Sequence, residues 1–273
     1  MKNILKTAFI ALLALTACDD IDEADRFEGP VEFTPKKNVL IEDFTGQRCL
    51  NCPLAAEAVS KMRQTYGEEH VIAVAIHGGS LSLPDTSPVG LANATGESYN
   101  AFWGVNSWPK GLVDRGAGWS NPSSALLEYT SWSAAAVKRL QVEPAVQMAL
   151  HNTYDAETGR LSIDVDLTAL ADVDGMVQVW LTENQITAPQ IMPNGTMNTS
   201  YEHSHVFRAA VNGEWGEAVQ LAEGQDAVKS YTFDLSTHAS WTPDHMAVVA
   251  FVYSQSEGVM QVIDSPVVAT AAE

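Results

Sequence analysis

The chain has 273 residues, 46% of them apolar, and carries 34 acidic against 15 basic side chains for a formal charge of -19. Such a surface repels phosphate backbones, which excludes nucleic acid as a partner, and it does not adhere to anionic lipid through charge. The length suits one large or two small domains, and three cysteines leave one without an intramolecular mate in an exported chain.

The chain opens with Lys2 and Lys6, an apolar run from Ala8 to Leu15, and the small residues Thr16 and Ala17 before Cys18. Basic, apolar, then small is the layout of a secretory signal, and the run is too short to span a bilayer. Leu15-Thr16-Ala17-Cys18 resembles a bacterial lipobox, whose cysteine is lipidated while the preceding signal is removed. The expectation is a signal over 1–17 and a mature chain held to a membrane by acyl groups on Cys18. An ordinary signal peptide with an incidental cysteine is the alternative. Loss of residues 1–17 removes Lys2 and Lys6 and no acid, which deepens the charge to -21. Asp19, Asp20, Asp22, Glu23 and Asp25 follow, so 18–38 reads as a solvated acidic tether. In some bacterial lineages such a run accompanies surface display; in others an Asp directly after the cysteine accompanies inner-membrane retention. No later segment has the apolar length of a membrane helix.

A buried strand is predicted over Val39 to Thr45, closed by Gly46. Cys49-Leu50-Asn51-Cys52 comes next, and Leu54, Ala58, Val59 and Met62 then recur at helical spacing up to Gly67. Pro53 suits the first turn of that helix, where its missing N–H costs nothing. Val71 to Ile76 reads as a second apolar strand, followed by His77-Gly78-Gly79. A cysteine at a helix N-terminus faces unpaired N–H groups and the positive end of the dipole, which lower its pKa and make it a nucleophile. The two-residue spacing lets Cys52 resolve a mixed disulfide formed on Cys49. A permanent structural disulfide is the second reading. Zinc is the third, although no second cysteine pair is present to complete its ligand set.

Strand, Cys-x-x-Cys, helix, strand resembles a thioredoxin-like domain. Asp43-Phe44 stand where that family has a buried acid and an aromatic neighbour. The resemblance implies that Asp43 assists proton transfer at Cys52. Gly104 to Pro109 resembles the segment leading to the family's cis-proline, which makes Pro109 cis and substrate-positioning, with Leu112-Val113-Asp114 as the next strand. Arg48 replaces the family's usual tryptophan, and Leu50-Asn51 its Gly-Pro. Residues 78–102 look like an insertion, either a substrate-covering loop or a surface excursion. His77 is expected to be structural. A helix is predicted from Ser123 to Leu140, completing a domain over 39–140 that folds alone.

From Val142 the pattern alternates. Strands are predicted over 145–150, 161–167, 176–182, 204–210, 230–235 and 246–253, forming an antiparallel, immunoglobulin-like β-sandwich over 141–273. His203 and His205 would share one face of a strand. Glu183 or Glu202 would offer a third metal ligand, but a structural role is preferred and no metal or other cofactor is expected.

The lipobox, the Glu42 to Gly46 approach to Cys-x-x-Cys-Pro, Trp108-Pro109 and His203-x-His205-Val206-Phe207-Arg208 together resemble the outer-membrane lipoprotein family named for outer membrane protein twenty-eight. The likeness covers nearly all the mature chain. It implies an α+β fold, a thioredoxin-like domain followed by a β-sandwich, on a lipid-anchored protein of the outer membrane. Two functions follow. In one, Cys49, Cys52, Asp43 and Pro109 carry thiol-disulfide exchange on exported proteins. In the other, the sandwich binds a surface partner and the cysteine pair is structural.

Overall fold

The computed structural model describes residues 33–116 and 118–268, and the described residues from Pro35 onward belong to one compact unit. The signal, Cys18 and the acidic run lie outside the described residues. The fold is mixed α/β, with far more residues in strands than in helices. No described helix is long and apolar enough to cross a membrane.

The first half is built on β1 (Val39–Thr45), β2 (Val71–His77) and β3 (Lys110–Val113). β1 runs parallel to β2 and antiparallel to β3. β1 is buried along its whole length, so its two sides meet different layers. Val39 and Ile41 pack with Ala55, Val59 and Met62 of α1 (Cys52–Tyr66) and with Trp132, Ala136 and Leu140 of α3 (Trp132–Leu140). Leu40 and Phe44 pack on the opposite side with Tyr99 of α2 (Ala94–Phe102) and with Trp103 just after it. α2 lies inside the segment expected to be a loop; Asn93 caps it by accepting from the Gly96 N–H. The helix predicted over 123–140 forms only from Trp132. Pro122 and Tyr129 open short 3-10 turns, and Leu127 pairs its backbone with Gly111 in antiparallel fashion. A sheet partner for Leu127 thus outweighs helical spacing.

The second half contains β4 (Val146–Asp155), β5 (Arg160–Ala169), β6 (Val173–Glu183), β7 (Ile186–Ile191), β8 (Met197–His203), β9 (Val206–Ala210), β10 (Glu217–Leu221), β11 (Asp226–Asp234), β12 (Met246–Ser254) and β13 (Gly258–Pro266). β11, β5 and β4 make a three-stranded sheet, and β7 and β8 a hairpin. On β5 the residues Leu161, Ile163, Val165 and Leu167 are buried in alternation, as a half-buried strand requires. They meet Val177, Val179 and Leu181 of β6 and Val248, Ala250 and Val252 of β12. The intervening residues Trp180, Val249, Phe251 and Tyr253 face the other way, into the same core as Leu40, Phe44 and Ile72.

That shared core is why the change of pattern at Leu140 does not separate two bodies. An eight-stranded sheet runs β13-β12-β6-β9-β2-β1-β3, with β10 also on β6, so it crosses from one half to the other. The crossing is the parallel Ala75–Val206 pair between β2 and β9. A cut at 140 would strip one face of β1 and β2 of its cover, which disfavours independent folding of 39–140. The expected tether also ends early. Lys37 is 2% exposed and pairs with Asp114, and the Lys36 N–H donates to Leu140 O.

Candidate functional site at the cysteine pair

Cys49 and Cys52 form a disulfide, and Cys52 is the first residue of α1. Asn51 makes no side-chain cap; instead the Cys52 N–H donates to Cys49 Sγ at 3.1 Å. The sulfur therefore occupies the place of a helix cap, where released thiolate charge would be stabilised. Arg48, Leu50 and Asn51 are exposed around it. The cysteines themselves are only 1% and 3% exposed. An open, attack-ready Cys49 is therefore not what this structure presents.

Two elements cover the turn. Gly46 comes so close to Leu81 that a Cβ would lie 2.7 Å from Leu81 O, and the Arg48 N–H donates to that oxygen. From the other side the β7–β8 hairpin contributes Gln190, whose Nε2 donates to Cys49 O at 2.9 Å. Pro189 has no N–H for the ladder, and the β7–β8 register shifts between Ala188 and Gln190. That shift leaves Gln190 buried against the cysteine turn. The Ile191 N–H adds a bond to Gln47 O.

Behind the disulfide is a cavity of about 660 Å³, lined by Asp43, Cys52, His77, Tyr201 and His203 among others. Asp43 is buried with Oδ1 unpartnered, and desolvation raises its pKa to about 8. It is therefore a neutral carboxyl at pH 7 and able to donate a proton. Burial lowers His203 to about 4 and holds His77 well below the usual histidine range, the latter helped by His203 and Arg208. The Trp108–Pro109 bond is cis and Pro109 is buried. Trp108 donates through Nε1 to Asn100 Oδ1, and its ring lies where Gly79 (φ +69°) leaves room; a Cβ there would be 2.0 Å from it.

The structure thus places Asp43 and Cys52 on one cavity with Cys49 bonded to Cys52. His203 and His205 do not share a strand face. His203 ends β8, and His205 sits in the following turn at φ +57°. Glu183 is engaged by Arg208 at 2.7 Å and by the Thr242 N–H. No group of three or more metal-binding side chains occurs among the described residues. The sequence reading left His77 structural and missed Gln190 and Tyr201. His77 had one signal, its place at the end of the strand beside the cysteines; Gln190 had none.

One solved structure shares this overall fold, and two others resemble parts of the chain weakly. HBP35 of Porphyromonas gingivalis has a TM-score of 0.66 at 17% identity, covering 85% of this chain and 76% of that one. A domain of the outer membrane lipoprotein Omp28 from Porphyromonas gingivalis has a TM-score of 0.32 at 24% identity, covering 45% of this chain and 88% of that one. A β-glucosidase from Kluyveromyces marxianus reaches a TM-score of 0.26 at 12% identity over 46% of this chain and 15% of that one. No curated protein sequence matches the chain. Residues 96–270 match the model of the family described as outer membrane protein Omp28. That span contains Pro109, Gln190, Tyr201 and His203 and is more than half of the molecule, so the chain belongs to the Omp28 family of outer-membrane proteins.

Proposed function

We propose that this outer-membrane protein is anchored through acylated Cys18 and exchanges disulfides with exported protein thiols through Cys49 and Cys52. The observation carrying the reading is a disulfide that caps a helix while one of its cysteines, Cys52, lines a cavity beside the neutral buried Asp43. The sheet order β2-β1-β3, with α1 and α3 on one side and α2 on the other, supports a thioredoxin-like half over 39–140. Two facing sheets in 141–268 support a β-sandwich half. Here the two share one sheet. Pro109 serves as the substrate-positioning residue. Because Gln190 and residues 46–49 are bound together, a protein substrate reaches Cys49 only when the β7–β8 hairpin lifts.

A second reading, a surface lipoprotein that binds its partner without chemistry, is favoured by the near-complete burial of both cysteines. Redox titration separates the two. A structural disulfide lies below about -300 mV, an exchanging one above it. Insulin reduction by the wild type but not by Cys49→Ser or Cys52→Ser supports exchange; no turnover and a very low potential support the second reading. Cys18→Ser abolishes fatty-acid labelling and releases the protein from membranes if the anchor is correct. Continued labelling of that variant removes it.

A further inference from the structure

The cavity behind the disulfide gathers buried polar atoms that lack a well-placed protein partner. By ordinary hydrogen-bond geometry neither ring nitrogen of His77 has one, although the Ala75 backbone lies close enough to act on the ring, nor has His203 Nε2, nor Asp43 Oδ1. His77 and His203 are 3% and 6% exposed. Their rings meet edge to face at 5.4 Å, and Tyr201 packs on His203 at 4.8 Å. Asp43 and His77 lie on one face of the parallel pair, since Asp43 is opposite Ala75 and Thr45 is opposite His77. Buried polar atoms without good partners are costly to keep, so such a cluster calls for a use. The cavity has room for water, and an imidazole can accept a proton on one nitrogen and release one from the other.

We propose that His77 and His203 form a proton relay between solvent and Asp43, which exchanges the proton with Cys52. The proposal rests on the exchange chemistry above. When a dithiol reduces the site, its thiolate bonds to Cys49 Sγ and the Cys49–Cys52 bond breaks. The electron pair leaves on Cys52 Sγ, which takes the proton of the Asp43 carboxyl. Asp43 is left as a buried carboxylate, and the relay returns to it the proton that the first thiol released. The second thiol, having lost its proton, attacks the mixed disulfide at the dithiol's own sulfur. A cyclic disulfide forms, and Cys49 leaves as thiolate and takes up that second proton. Two electrons and two protons have moved from the dithiol to the cysteine pair.

The surroundings favour transfer over storage of charge. Arg63 of α1 lines the cavity, and Arg208 of β9 acts on His77 while paired with Glu183 of β6. Both cations oppose a lasting imidazolium. Glu57 of α1, Glu68 after it and Glu202 of β8 lie at the exposed wall of the cavity. His205, lowered by burial and then by Arg63, completes the set. Neutral rings that protonate only in passing suit a relay.

The test uses the full chain in detergent, reduced by dithiothreitol and sampled by quenched alkylation from about pH 5 to pH 9. His77→Gln and His203→Gln should each slow reduction about tenfold and alter its pH profile. Added imidazole should restore the rate of His203→Ala. In an Asp43→Asn background the histidine substitutions should have no further effect. Wild-type rates and profiles in the histidine variants overturn the relay, as does slowing with an unchanged profile and no imidazole rescue. Melting of the oxidised forms monitors folding, and if His77→Gln does not fold the His203 variants carry the test. A wild-type disulfide that dithiothreitol does not reduce overturns the exchange reading itself, a result distinct from intact exchange without a relay.

Discussion

Glu42 and Asp43 are adjacent on β1, both are buried, and they have opposite environments. Glu42 faces the aromatic core and holds Arg115 through two bonds, Nε to Oε1 at 2.7 Å and Nη2 to Oε2 at 3.2 Å. The guanidinium carbon lies 4.5 Å from the Tyr253 ring centroid and 5.2 Å from that of Trp180. Asp43, one residue on, faces the cavity with Oδ1 unpartnered. Two buried acids in sequence thus divide the labour. The paired one, through Arg115, ties β1 to Trp180 and Tyr253 of the second half. The unpaired one gives up its charge and keeps a proton available.

The largest test of the contrast is Arg115→Met. It leaves Glu42 buried without a counter-ion and should cost about 3–5 kcal/mol in denaturant unfolding. The double variant Glu42→Leu with Arg115→Met should recover much of that loss, because no lone charge remains. A single-variant loss no greater than that at an exposed pair would break the comparison.

Asp43→Asn should act in the opposite direction. The folded chain holds the Asp43 proton up to about pH 8, whereas the unfolded chain releases it above its ordinary 3.8. The folded state therefore binds more protons across that window, and its stability falls as pH rises through it. Asn removes this penalty, about 5 kcal/mol at pH 8 at about 1.4 kcal/mol per tenfold change in proton affinity, but leaves its own amide unpaired at about 1–3 kcal/mol, so it should stabilise the chain there by roughly 2–4 kcal/mol. Thermal melts of both proteins against pH check this; the curves should converge toward acid.

His203 contributes the reverse slope. Its pKa falls from 6.5 to about 4 on folding, so the unfolded chain binds more protons between those values. Stability should drop as pH falls through that window, and His203→Gln should flatten the drop by roughly 1–3 kcal/mol near its acid end. The smallest effect should be that of Gln190→Ala. Losing the bond to Cys49 O should cost about 1 kcal/mol of stability and speed disulfide reduction several-fold, because the hairpin opens more readily. Equal reduction rates would mean that the hairpin does not control access.

Much of the chain could be read locally. The apolar runs of β1 and β2, the helix opened by Cys52-Pro53 and the alternation of β5 carry their own periodicity and end signals. Cys49, Cys52 and Asp43 were legible because the chemistry of a helix-terminal cysteine depends on neighbours in sequence and on one family likeness. β7, β8, β10 and β13 were not foreseen. β13 is apolar at Val259, Met260 and Val262 but lies directly behind the predicted strand that became β12, and only pairing with β12 marks it as separate. For the other three the reason is composition: their residues are largely polar or half-exposed, so burial leaves little pattern on them.

The sequence by itself determined the acidic surface, the strand–cysteine–helix–strand order and the alternating second half, since each is set by composition or by contacts a few residues apart. Only the tertiary structure decided that the halves share a sheet through Ala75 and Val206, that Glu42 meets Arg115 while Asp43 meets a cavity, and that Gln190 covers Cys49. These pairings join residues far apart in the chain, and the burial that sets their charge exists only once the layers close.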